Sequence, residues 1–118
     1  MYKLPENFYE DILVTALEGG SNYWIDYIKA ANPPKPREMA TSIWVSYRLN
    51  DGKTVFINAD GVQYGLTKPK LTKGIKLWVK NHPKQVHLVD GELDAGSIDA
   101  GDADAILQYA LFGELVYG

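Results

Sequence analysis

From Ala103 to Phe112 the chain reads ADAILQYALF, with Asp104 and Gln108 as its only wholly polar side chains, one turn apart on a single stripe. A helix that is apolar on nearly every side must be wrapped by other elements. This segment is therefore expected to be the most buried helix, with Ile106, Leu107, Ala110 and Leu111 in the core. Asp102 is placed to cap its start, and Gly113 to end it in a left-handed conformation. With 118 residues the chain has room for one domain, spanning 1–118, around one core.

The other elements follow from periodicity. Pro5 to Glu18 reads as an amphipathic helix, since Tyr9, Ile12, Leu13, Ala16 and Leu17 recur at helical spacing and Gly19 and Gly20 stop it. Residues 21–31 fit a helix or a strand equally well. The prolines of Asn32 to Pro36 make a stiff extended connection. Ile43, Val45, Tyr47 and Leu49 alternate with Ser42, Trp44, Ser46 and Arg48, the period of a half-buried strand. Turns at Asn50–Gly52 and Ala59–Gly61 lead into strands Thr54–Asn58 and Val62–Leu66.

Thr67 caps a helix from Lys68 to Asn81 with Leu71, Ile75, Trp78 and Val79 on its apolar face. Gly74 inside it costs about 1 kcal/mol against alanine and hints at close packing. Gln85 to Val89 suits a short strand, and Leu115 to Tyr117 a short C-terminal strand or docked tail. The expected class is α+β: a three-stranded antiparallel meander packed with about three helices, plus a short C-terminal strand.

Charge is distributed unevenly. Lys68 to Lys84 holds six lysines and no acid, whereas Gln85 to the end holds seven acids and no lysine or arginine. Lys73, Lys76, Lys80 and Lys84 are spaced to form one basic ridge, suited to phosphates, to an acidic partner, or to the chain's own acidic stretch. A solvated helix face explains the same pattern. The net charge of −3 and the lack of arginine in the ridge count against nucleic acid. Asp90, Glu92, Asp94, Asp99, Asp102 and Asp104 lack the ligand spacing of a calcium loop and suit capping, turns, or an electronegative face for a protein.

The segment Gly19, Gly20, Ser21, Asn22, Tyr23 and Trp24 is the candidate small-ligand site, because paired glycines admit close backbone approach beside hydroxyl, amide and aromatic groups. A helix stop followed by a capping serine is the ordinary structural account of the same residues and the favoured one. With no cysteine, two scattered histidines (His82 and His87), and no G-x-S-x-G, phosphate-loop or dinucleotide motif, no catalytic residue, metal ligand or cofactor is assigned.

Lys3, Glu6, Glu10 and Asp11 break every early apolar run, so no secretory signal of roughly 7 to 15 apolar residues is read. No stretch approaches the roughly 18 apolar residues of a membrane span either, which places the chain in the cytoplasm.

Two segments, ALEGGSNYW (Ala16 to Trp24) and DADAILQYALFGELVYG (Asp102 to Gly118), together resemble a family of small uncharacterised proteins of prophages, phages and other bacterial mobile elements. LTKPKLTKGIKLWV (Leu66 to Val79) is similar to a weaker pattern of that family. The proline-rich Asn32 to Pro36 and the lysine density of the middle helix depart from it. The resemblance implies an origin in mobile elements and contact with host machinery, and it transfers no activity. The sequence thus points to a non-enzymatic interaction or regulatory module with an unidentified protein partner. Nucleic-acid association through the lysine ridge and small-ligand binding at Gly19–Trp24 are the alternatives.

Overall fold

A computed structural model describes residues 2–29 and 35–118. The fold is α+β. Helices α1 (Phe8–Thr15), α2 (Thr41–Asn50), α3 (Lys68–Asn81) and α4 (Ala100–Phe112) surround one face of an antiparallel sheet of order β1-β2-β3. Its strands are β1 (Tyr27–Lys29), β2 (Val55–Ala59) and β3 (Val62–Leu66), and a two-stranded hairpin, β4 (Leu88–Val89) with β5 (Glu92–Leu93), lies apart from it.

Helix α4 is the centre, as its composition requires. Ala103, Ile106 and Leu107 are fully buried and Ala110 nearly so, while Leu111 is only half-buried. Its start is one turn earlier than expected. Asp99, not Asp102, is the N-cap: its carboxylate accepts from Asp102 N at 2.8 Å, and Asp102 Oδ2 accepts from Asp99 N. This reciprocal pairing satisfies two otherwise unpaired amides of the first turn. Gly113 closes the helix at φ 76°.

Helix α3 crosses α4 at Gly74, where an added Cβ would stand 2.6 Å from Ile106 O and 2.7 Å from Ala110 N. The expected close packing is therefore backbone against backbone. Helix α1 begins only at Phe8, because Asn7 takes a left-handed conformation at φ 66°. Its end widens into a π-helical turn over Ala16–Gly20, which brings Ser21 N onto Ala16 O at 2.8 Å. Gly20 sits so tightly under α4 that a Cβ there would lie 2.2 Å from Ala100 O.

The expected strand over Ile43–Leu49 is instead helix α2. Its buried residues are Ser42, Trp44, Val45, Ser46 and Leu49, a helical set that includes two serines one turn apart. The Ser42 hydroxyl donates to the Glu18 carboxylate, so a polar residue occupies the inward face without an unpaired group. The third strand of the sheet comes from the ambiguous segment, as Tyr27–Lys29, after a turn over Ser21–Trp24. The connection Asn32 to Pro36 lies mostly outside the described residues. Pro83–Gln85 forms a short 3₁₀ turn before β4, so the strand expected over Gln85–Val89 keeps only its last two residues. The tail after Gly113 forms no strand.

The register gives the sheet two unlike faces. Ile28, Ile57 and Tyr64 share a row toward the helices, with Val55 and Leu66 in the next inward row. The opposite face carries Tyr27, Asn58 and Gln63 in one row and Lys29, Phe56 and Gly65 in the next.

Candidate functional site

The Gly19–Trp24 segment and α4 meet at one carboxylate. Asp104 is 7 % exposed, and each of its oxygens accepts twice. Ser21 Oγ and Trp24 Nε1 donate to Oδ1 at 2.7 and 2.6 Å, while the Tyr23 hydroxyl and Gln108 Nε2 donate to Oδ2 at 2.7 and 3.0 Å. Four donors match the four acceptor positions of an ionised carboxylate. The Tyr23 phenol is pushed above its ordinary pKa, first by burial, then by its bond to Asp104 and by that carboxylate's charge.

Gln108 extends the network to the tail. Its Oε1 accepts from Val116 N at 2.8 Å and Tyr117 N at 2.9 Å, and its Nε2 also donates to Tyr117 O. One side-chain amide thus stands in for the strand partner that the tail lacks. Tyr117 stacks flat on Trp24 and meets Phe112, which in turn packs edge-on against Tyr64. The Tyr117 hydroxyl donates to Asp60 Oδ2 at 2.7 Å, and that bond, with burial and the Asp60 charge, pushes its pKa up to about 12. Leu115 and Val116, expected to cover apolar surface, turn their side chains outward.

The candidate ligand segment is therefore largely committed to the protein itself. Ser21, Tyr23 and Trp24 spend their polar atoms on Asp104, and Gly20 is filled by Ala100. Gly19 and Asn22 face solvent. The polar stripe of Asp104 and Gln108 was visible in the sequence; that it gathers the Ser21–Trp24 turn was not, because those partners lie eighty or so positions away.

Three of the four lysines lie on α3. Lys73, Lys76 and Lys80 fall within about 60° on the helical wheel, opposite the buried Leu71, Ile75 and Trp78. From Lys73 to Lys80 the ridge runs about 10 Å along the axis, and exposed Lys84 lies beyond the end of α3, in the 3₁₀ turn Pro83–Gln85. Lys68 instead lies over the Tyr9 ring, and Lys70 reaches Gly65 O. Among the described residues none of the four ridge lysines forms an ion pair with the acidic stretch.

The acids gather elsewhere. Glu6, Asp11, Asp90, Glu92 and Asp94 line a recess of about 280 Å³ between the start of the chain and the β4–β5 hairpin. No group of three or more among the described residues is arranged to hold a metal ion. His82 is occupied by the Tyr109 hydroxyl, 3.0 Å from Nε2. No helix among the described residues is long and apolar enough to cross a membrane. Comparison of the chain with protein-family models, curated proteins and solved structures found no match.

Proposed function

We propose that the chain is a non-enzymatic interaction or regulatory module of a phage or another mobile element, working in the cytoplasm, and that it docks an acidic protein partner on the lysine face of α3. The observation that carries this reading is the row Lys73, Lys76 and Lys80, exposed on the pole of α3 opposite its buried stripe, with exposed Lys84 in the turn just beyond the helix, and all four unpaired with the chain's own acidic stretch. Such a row raises the local potential and favours association with an anionic surface. The net charge of −3 and the absence of arginine in the row favour an acidic protein over a nucleic-acid duplex. Small-ligand binding at Gly19–Trp24 is the weaker reading, because Asp104 already consumes the hydrogen-bonding groups such a ligand would use. The proposal needs no cofactor and no catalytic residue.

The test is capture from a nuclease-treated bacterial lysate by the immobilised chain and by the variant carrying Lys→Gln at 73, 76, 80 and 84. The proposal predicts retention of a discrete acidic protein by the wild type alone, released as salt rises from about 50 to about 200 mM. The same protein retained by both forms would refute the lysine face as the contact. Retention from an untreated lysate that is absent from the nuclease-treated one would transfer the ridge to nucleic acid.

A further inference from the structure

The face of the sheet turned away from the helices is furnished differently from an ordinary solvated surface. Alternation along β2 sends Val55, Ile57 and Ala59 into the core and Phe56 and Asn58 the other way. Half-buried Phe56 lies outside the core cluster, with its ring edge over Gly65, where an added Cβ would meet Phe56 Cε1 at 3.7 Å. Beside it Tyr27 is 59 % exposed. Asn58, between Tyr27 and exposed Gln63 in the same row, is 6 % exposed, yet its Nδ2 is buried without a hydrogen-bond partner.

A buried amide donor without an acceptor is costly, about 1–3 kcal/mol when nothing satisfies it. Its position between an exposed phenol and an exposed carboxamide calls for a ligand that brings a carbonyl or ring-nitrogen acceptor in a flat body. Cations bracket the next row: Lys29 pairs across from Phe56 on one side, and the Lys70 ammonium sits 2.7 Å from Gly65 O on the other. Two strand spacings, about 10 Å, separate the Lys29 and Gly65 backbones. Aromatic faces, an unpaired donor and flanking ammonium groups are together what an unpaired nucleobase on a phosphate backbone requires.

We propose that this outer sheet face binds single-stranded nucleic acid, stacking bases on Tyr27 and Phe56 and giving the Asn58 amide a base acceptor. The surface is separate from the lysine face of α3 and independent of the function proposed above. Asp26, just before β1, and Asp60, in the β2–β3 turn, are exposed carboxylates near its rim. They disfavour a continuous duplex backbone and leave stacking, not charge, as the main attraction.

The experiment is fluorescence anisotropy of labelled ten-nucleotide oligodeoxythymidylate and oligodeoxyadenylate, with a duplex of equal length, against the full chain at about 50 mM salt. Saturable binding of the single strands and not the duplex is expected, with a log–log salt slope near −1.4, roughly −0.7 for each of two phosphates. Tyr27→Ala and Phe56→Ala should each weaken it about tenfold or more. Both residues lie outside the core, so circular dichroism melts should stay near wild type. Asn58→Ala is the second probe: it removes an unpaired donor, so it should weaken single-strand binding without lowering the melting temperature. The ridge variant with Lys→Gln at 73, 76, 80 and 84 should bind as wild type, which separates this proposal from the α3 reading. No saturable single-strand binding, equal duplex binding, or affinities unmoved by Tyr27→Ala and Phe56→Ala would each overturn it, as would loss of binding in the ridge variant alone.

Discussion

The indole of Trp24 and the phenol of Tyr117 are stacked, their centroids 5.1 Å apart and their planes 2° from parallel. Residues near opposite ends of the chain are thereby in direct contact, and the same two rings flank the network that Asp104 and Gln108 organise. The segments Ala16–Trp24 and Asp102–Gly118 are thus halves of one structural lock.

That lock makes Asp104 sensitive to a substitution that preserves its shape. Asp104→Asn turns an amide hydrogen toward donors from Ser21 and Trp24 or from Tyr23 and Gln108, leaving buried donors opposed to one another. A loss of about 2–4 kcal/mol is expected in urea unfolding, read as a lower midpoint at unchanged slope. A change under about 0.5 kcal/mol would mean that the network adds little to stability.

Gly74→Ala puts two effects in opposition. Alanine raises helix propensity by about 1 kcal/mol, but its Cβ would enter the 2.6 Å approach to Ile106 O, where backbone must move. Overpacking should win, lowering stability by about 1–3 kcal/mol. Gly19→Ala, where a Cβ meets no atom within 4 Å, is the control and should change little.

Removing the tail after Gly113 deletes the Trp24–Tyr117 stack and three bonds to the Gln108 side chain. The buried amide of Gln108 then loses its backbone partners, and the thermal midpoint should fall by several degrees. If the truncated chain kept its melting temperature and lost partner capture, exposed Leu115 and Val116 would be the contact in place of α3.

Tyr117 supplies a pH signature. Its folded pKa of about 12 lies above the ordinary 10.0, because the neutral phenol donates to Asp60 and the Asp60 charge opposes ionisation. The stabilisation is fully present below about pH 10 and is lost as pH rises through about 12. Spectrophotometric titration should show a phenol ionising near the top of this range. Asp60→Asn should return that phenol toward 10, while Tyr23, held up by burial and Asp104, keeps its own raised value.

The elements read correctly from sequence are those whose signal is local. The apolar run of α4, the Thr67 cap of α3 with its bond from Lys70 N, and the turns flanking β2 and β3 all carry their own residues. Helix α2 was hidden because its inward face uses Ser42 and Ser46, which in sequence look outward; only the distant Glu18 carboxylate makes the first of them a buried residue. The candidate site was half legible for the same reason. Asp104 and Gln108 stood out as two polar groups on an apolar helix, but their partners are set by tertiary contact, and the outer sheet face depends on a β1 that sequence left undecided.

The most direct test of the proposed function measures stability and binding together in the chain carrying Lys→Gln at 73, 76, 80 and 84. If these lysines face a partner, the variant melts within about a degree of wild type, because exposed unpaired charges contribute little to the fold, and it loses salt-sensitive capture of the acidic protein. A melting temperature lowered by several degrees with capture unchanged would show that the lysines serve the chain's own acidic stretch, and would contradict the account.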